Sequence, residues 1–156
     1  MILEGIVSSG LGRAHLFMAQ SHYQEQFKDV LGSTAWPGTL NIGVSDENFL
    51  RFVALRNASG VETLKLSQKD VSEVEKISIK AIKPHRINGF LRDGVSFGGA
   101  TAFTAKIYSK DEQVDCAVLI PDLTRHTDVA EIISQKFLRE TLDVSDGDTV
   151  RVELQL

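Results

Sequence analysis

Cysteine is nearly absent from this chain. Cys116 is the only one in 156 residues, which excludes an internal disulfide and a cysteine-based metal cluster. A chain without disulfides suits a reducing compartment, so a cytoplasmic setting is expected. Positive charge is also in short supply: 17 Lys and Arg against 21 Asp and Glu leave a net charge of −4. That balance argues against a broad surface for polymeric nucleic acid, though not against one small nucleotide. Long apolar runs are missing, and the start, Met1-Ile2-Leu3-Glu4-Gly5, has no basic region. Neither a signal peptide nor a membrane span is expected. With no helix-turn-helix ahead of the first expected strand, no built-in transcriptional role is expected either. The four histidines, His15, His22, His85 and His126, lack the spacing of a helical zinc site. No serine sits in a nucleophile-elbow sequence, so a catalytic triad is not expected.

What remains is ordinary for a soluble globular chain, with 42% hydrophobic and 24% charged residues. One domain spanning residues 1–156 is expected, with enough chain for a substantial core. Short strands dominate the pattern. Strands are expected at 2–8, 13–18, 38–44, 61–66, 74–82, 101–109, 114–120 and 149–154. Turns are expected at Asn57-Ala58-Ser59-Gly60, Asn88-Gly89, Asp93-Gly94, Lys110-Asp111-Glu112 and Asp146-Gly147-Asp148. Residues 49–56 carry no clean period, and 67–73 read as a polar connection. Ser21 and Gln24 have capping-box spacing. Tyr23, Phe27, Val30 and Leu31 follow on one helical face with Gly32 as a stop, giving a helix over 22–31. Val129, Ile132, Ile133 and Phe137 share a helical spacing, giving a second helix over roughly 128–141. The helices do not alternate regularly with strands, so a doubly wound parallel fold is disfavoured. The expected fold is mainly β, a small closed or partly closed barrel with inserted helices.

One stretch carries unusual chemistry. In Trp36-Pro37-Gly38-Thr39-Leu40-Asn41-Ile42 a Pro-Gly turn feeds directly into an alternating segment. Leu40 and Ile42 share one face, and Thr39 and Asn41 share the other. Two neutral polar groups beside a turn either face solvent or hold an ion whose balancing charge comes from the ligand, as in a magnesium–phosphate complex. Gly10-Leu11-Gly12 follows a strand and is either a plain turn or a place where backbone amides approach an anion. Asp128 with Glu131 reads as a capping box, or Glu131 binds a polar ligand or takes a proton from a hydroxyl. Arg139 and Glu140 form a solvated helix end, or supply the donors and acceptors that a heteroaromatic base edge needs. Lys83-Pro84-His85-Arg86 is a basic surface turn or a cluster that meets phosphate, and Cys116 is a core residue.

Taken in order, these pieces resemble the archaeal-type CTP-dependent riboflavin kinases. The resemblance runs over about residues 5–43 and 114–152. It rests on Gly10-Leu11-Gly12, the helix with Tyr23 and Phe27, Pro37-Gly38-Thr39-Leu40-Asn41, Ile120-Pro121, Thr124 with His126, Glu131-Ile132-Ile133, Leu138-Arg139-Glu140 and Asp146-Gly147-Asp148. It implies a six-stranded cradle-loop β-barrel with two or more inserted helices. It also implies phosphoryl transfer from CTP to the 5′-hydroxyl of riboflavin, giving FMN and CDP, with Mg²⁺ as cofactor. By resemblance, Gly10, Leu11, Gly12, Arg13, Ala14 and His15 wrap the nucleotide phosphates, and Phe137, Leu138, Arg139 and Glu140 contact the nucleotide. Thr39 and Asn41 hold Mg²⁺, Thr124 and Glu131 contact the flavin, and Glu131 orients the reacting hydroxyl. Phe90, Phe97 or Phe103 is expected to form part of the apolar slot for the flavin ring. One departure stands out. The family continues Gly-Leu-Gly with an acidic residue, a glycine and a basic residue, where this chain has Arg13-Ala14-His15. That departure leaves a non-catalytic flavin- or nucleotide-binding sensor on the same barrel as the alternative.

Overall fold

The computed structural model describes residues 1–10, 14–124 and 126–155. Along the chain it forms β1 (Ile2–Ser8), α1 (Ala14–Met18), α2 (Ser21–Leu31), β2 (Leu40–Gly43), α3 (Asp46–Ala58), α4 (Gln68–Glu75) and β3 (Pro84–Ile87). There follow β4 (Phe90–Arg92), β5 (Val95–Phe97), β6 (Ala100–Ser109), β7 (Glu112–Pro121), β8 (Val129–Ile133), α5 (Leu138–Thr141) and β9 (Thr149–Leu154). No helix among the described residues is long and apolar enough to cross a membrane.

Six strands close on themselves. Antiparallel pairing runs β6–β7–β8–β2–β1–β9 and returns from β9 to the C-terminal half of β6. The N-terminal half of β6 pairs instead with β3, which adds a seventh strand outside the ring. β4 and β5 make a separate hairpin. Closure leaves few open edges for unwanted pairing.

The interior is built by alternation. Leu3 and Val7, Leu40 and Ile42, Phe103 and Ile107, Val118 and Ile120, Ile132, and Val150 and Val152 point into the barrel. The opposite faces of β6, β7 and β8 are buried as well. Ala100, Ala102, Ala117, Leu119 and Ile133 pack outside the barrel against Met18, Tyr23 and Phe27 of the two first helices. Fully burying each large apolar side chain contributes roughly 1.5–3 kcal/mol. α2 ends as its sequence suggests: Gly32 takes φ +84° and its N–H donates to the Lys28 carbonyl at 2.8 Å. The turn before β9 uses Gly147 at φ +95°, and its N–H donates to the Val7 carbonyl at 2.9 Å, fastening the turn to the end of β1.

Several sequence expectations fail for identifiable reasons. The described part of 13–18 is helix α1, not strand. Ser21 opens α2 rather than capping it, and Gln24 bonds to Met18 and Ala35 instead of reaching back. Residues 61–66 are irregular, and 67–73 contain most of α4, whose first turn is capped by the Ser67 hydroxyl accepting from the Asp70 N–H. The alternation across 74–82 belongs to the end of α4 and a turn, where Ile77 and Ile79 rest half-buried on the α3–α4 cluster. The helix expected over 128–141 is strand β8 followed by the single turn α5, so Asp128 and Glu131 form no capping box. A strand buried on both faces loses its two-residue alternation and imitates a helical spacing. Phe103 fills the barrel core and cannot line a flavin slot.

β3 is an edge strand rather than a surface turn, and an ion pair anchors it. The Arg86 guanidinium grips Asp122 at the end of β7 through two bonds, one of them Nη1 to Oδ1 at 2.6 Å. Gly99 passes beneath, where an added Cβ would lie 2.4 Å from Arg86 Nη2 and 2.8 Å from the Ile87 carbonyl oxygen. The Arg86 hydrogen bond holds the Asp122 carboxyl below its ordinary value of 3.8. A depressed carboxylate stabilises the fold above its unfolded pKa and loses that contribution as pH falls through the folded one. Both partners are part-exposed, so the pair is worth at most about 1 kcal/mol. Urea unfolding should therefore find Asp122→Asn slightly less stable than wild type at neutral pH, with the gap closing below pH 3.8. An equal gap at every pH would show that the charge plays no part.

Candidate functional site

The β2–β8 ladder brings the polar candidates together. Asn41 lies directly opposite Glu131, and Leu40 lies opposite Ile132. Leu40 and Ile132 face the barrel interior, so Thr39, Asn41 and Glu131 emerge on the outer wall, on the side that α1 and α2 cover. Three cavities meet there. The first is an apolar cavity of about 450 Å³ that runs under α1 and α2 and is bounded by Phe17, Met18, Tyr23, Phe27, Leu119 and Leu123. The second is a polar cleft of about 540 Å³ between Ser8–Gly10, His15, Pro37–Thr39, His126 and Arg139. The third is a slot of about 70 Å³ beside Trp36, Lys136, Phe137 and Leu138. Thr39 borders all three, Glu131 borders the first two, and Arg139 borders the last two.

Thr39 and Asn41 form one unit. The Thr39 hydroxyl donates to Asn41 Oδ1 at 2.8 Å. Adjacent vertices of an octahedron with metal–oxygen bonds of about 2.0–2.1 Å are about 2.9 Å apart, so the two oxygens fit neighbouring positions around a magnesium ion. No group of three or more His, Cys, Asp or Glu able to hold a metal exists among the described residues. A cation at this pair would therefore take its remaining ligands from a substrate and water. Gly10 touches the same unit: a Cβ there would lie 2.5 Å from Asn41 Nδ2 and would push the amide aside. The absent side chain lets the backbone after β1 run against the Asn41 amide. Ala14 and His15, at the start of α1, also border the cleft. Leu11, Gly12 and Arg13 lie outside the described residues.

Burial raises the Glu131 carboxyl above its ordinary range, and His126 partly offsets the rise. A raised pKa suits a group that exchanges a proton or accepts a hydrogen bond from a hydroxyl. Thr124 is used differently: its hydroxyl accepts from the His126 N–H at 3.2 Å, and it borders none of the three cavities. Phe90 and Phe97 stack on each other in the β4–β5 hairpin, with centroids 4.7 Å apart. Neither borders the cavity directly: Phe97 meets Phe17 edge-on at 6.3 Å, and Phe90 meets Tyr23 edge-on at 5.0 Å.

Phe137 and Leu138 line the slot, whereas the Glu140 side chain is exposed and borders none of the cavities. Arg139 is occupied inside the protein. Its Nη2 donates to Asp146 Oδ1 at 2.7 Å and to the Ser8 carbonyl at 3.2 Å, and Ser9 Oγ donates to Asp146 Oδ2 at 2.5 Å. The bonds from Ser9 and Arg139 hold the Asp146 carboxyl below its usual range. This cluster ties the end of β1 to the turn before β9, at the rim of the polar cleft.

Sequence reasoning missed three features of the site. Trp36 stacks on Phe137 at 4.8 Å and 19°, a pairing no local pattern reveals. The apolar cavity draws Ile87, Gly98 and Gly99 from the middle of the chain. The Tyr23 hydroxyl donates to the Gly98 carbonyl at 2.5 Å, joining α2 to that segment. If the Arg139–Asp146–Ser9 cluster sets the rim, Arg139→Met should speed amide exchange at residues 7–10 and 145–148 by about tenfold, as loss of a charge-assisted bond predicts. Exchange in the β6–β7 hairpin should stay unchanged. Hydrogen-exchange mass spectrometry reads both, and unaltered exchange at the rim would remove this role from Arg139.

Comparison with known proteins finds relatives of the chain along almost its whole length. The chain is 34% identical over 154 residues to a riboflavin kinase of Thermoplasma acidophilum, covering 99% of this chain and 57% of that protein. It is 36% identical over 154 residues to a riboflavin kinase of Thermofilum pendens, covering 97% and 58%. With a riboflavin kinase of Haloquadratum walsbyi it shares 28% over 155 residues, covering 98% and 56%. The chain thus spans little more than half the length of these relatives. A family model named CTP-dep_RFKase, described as domain of unknown function DUF120, matches residues 7–72 and 61–154. The chain belongs to this CTP-dependent riboflavin kinase domain family.

Proposed function

We propose that this chain transfers a phosphoryl group from CTP to the 5′-hydroxyl of riboflavin, giving FMN and CDP, with Mg²⁺ as cofactor. The observation that carries the reading is the position of Thr39, on the border of an apolar cavity, a polar cleft and an aromatic slot. A flavin ring needs an apolar enclosure, a triphosphate needs a polar channel, and a base needs a stacking surface. Here all three open onto one point. The names of the relatives support the substrate class, and the family name supports the donor.

In this reading the isoalloxazine ring occupies the cavity between Phe17, Tyr23, Phe27 and Leu119, and the ribityl chain leads out past Glu131. Glu131 accepts a hydrogen bond from the terminal hydroxyl and receives its proton as the new bond to phosphorus forms. The slot beside Trp36 and Phe137 receives the cytosine, and the backbone at Gly10 with Ala14 and His15 follows the phosphates. Thr39 and Asn41 would hold Mg²⁺, which neutralises charge on the transferring phosphoryl group when bound. The chain's own part is mainly positioning, since phosphoryl transfer requires little covalent chemistry from the protein.

Incubating the folded protein with riboflavin and each nucleoside triphosphate, followed by flavin separation, should give FMN with CTP as the best donor. No FMN with any donor would sink the kinase reading, and flavin binding without turnover would favour a binding module. Thr39→Ala and Asn41→Ala should each lower Mg²⁺-dependent turnover by ~10²-fold, comparable with loss of a transition-state charge contact. Glu131→Gln should lower kcat by ~10²-fold or more if it takes the proton. Turnover within a few-fold of wild type in any of these variants would remove that residue from its assigned role.

A further inference from the structure

Arg56, on α3, is the only fully buried Lys, Arg, Asp or Glu among the described residues, at 2% exposure. None of the ion pairs among those residues includes it. Its guanidinium is satisfied by neutral acceptors instead. Nε donates to Thr63 Oγ1 at 2.8 Å, Nη2 to the Glu62 carbonyl at 3.1 Å, and Nη1 to the His126 carbonyl at 2.8 Å. The first two acceptors are local. The third is 70 residues away in sequence, in the segment that walls the site.

Beyond Asp122, which Arg86 grips, few other bonds hold the described residues of that segment. Pro121 and Leu123 border the apolar cavity, and His126 borders the polar cleft. Its backbone is fastened at Asp122, whose N–H donates to the Gly99 carbonyl, and at Asp128, whose carbonyl accepts from the Val44 N–H. Between those points, the other hydrogen bonds described for Leu123, Thr124, His126 and Thr127 are local ones, Thr124 to Pro121 and His126 to Thr124. Burying a cation without a carboxylate is costly, and an apolar side chain commonly serves stability as well or better. The retained feature is a planar fork that reaches three acceptors at once, which lysine cannot reproduce.

We infer that Arg56 is a positioning residue for the acceptor side of the site: through the His126 carbonyl it sets the wall formed by Leu123 and His126, and hence the fit of the flavin. This rests on the kinase reading for its choice of substrate, while the mechanical link does not. The residue belongs to the inserted α3–α4 region, which borders none of the three cavities.

The test uses Arg56→Lys and Arg56→Met. Lysine keeps the charge and the apolar stem but cannot serve both the Glu62 and the His126 carbonyls. Hydrogen-exchange mass spectrometry should show faster exchange in the peptide 121–128 of each folded variant, with β1 and β9 unchanged. Steady-state assays should show a riboflavin KM raised about tenfold, with kcat within about twofold, as expected for a displaced binding wall rather than a lost catalytic group. Unchanged exchange at 121–128 together with unchanged riboflavin KM would overturn the inference. So would uniformly faster exchange throughout the chain, or failure of both variants to fold, since Arg56 would then serve the fold alone. If the wild type makes no FMN, the kinase reading fails by itself, and the exchange comparison still decides whether Arg56 holds the wall.

Discussion

Everything at the site depends on the register between β2 and β8. Asn41 stands opposite Glu131 because Leu40 stands opposite Ile132, and that second pair is locked into the barrel interior. A slip of β2 by one residue would turn Leu40 and Ile42 outward and bury Thr39 and Asn41. The penalty for burying two polar groups and exposing two large apolar ones is several kcal/mol. The barrel core therefore does more than stabilise the chain. It holds the polar groups at fixed separations on a wall whose strands are paired on both sides, which is more exact than a loop allows.

Among the described residues, the charges beside Thr39 are few. Thr39 and Asn41 are neutral. Arg139 is already bonded to Asp146 and to the β1 end. Glu131 is held toward its neutral form by burial. Thr39 and Asn41 carry no charge to offer a free anion, and they suit a ligand that arrives with its own counterion. Selectivity then falls to shape: a large apolar cavity on one side of Thr39, and a small slot flanked by stacked Trp36 and Phe137 on the other.

What could be read from the sequence follows this division. Elements with one buried face were legible. β9 alternates cleanly, and the apolar residues of α2 fall on one face before Gly32. Elements buried on more than one face were legible only where turns bounded them: β6 and β7 lie between Gly98-Gly99, Lys110-Asp111-Glu112 and Pro121 and were read as strands, whereas β8 and α3 were not. β8 contributes Ala130 and Ile132 to the barrel and Ile133 to the outer core, so its pattern looked helical. α3 sends Phe52 and Leu55 into the barrel core and Val53 and Ala54 toward α4, so it showed no period at all. The polar pair Thr39–Asn41 was visible because a Pro-Gly turn and an alternating strand are local signals. The Trp36–Phe137 stack and the hold of Arg139 on Ser8 and Asp146 link residues up to 131 positions apart, and only the folded chain brings them together.

The middle of the chain is where local reading was weakest, yet it completes the site. Ile87, Gly98, Gly99 and Ala100 close one side of the apolar cavity. The Tyr23 hydroxyl and the Arg86–Asp122 pair hold that side in place. The barrel strands alone would present Thr39, Asn41 and Glu131 on an open wall, with no enclosure for an aromatic ligand. The inserted segments convert that wall into a cavity, by packing from the β3–β5 region and by a buried guanidinium from α3. The polar groups are thus placed by the barrel register, and the shape around them by the insertions. Substitutions in the insertions should act on how well a ligand fits, while those on β2 and β8 act on what can be done to it.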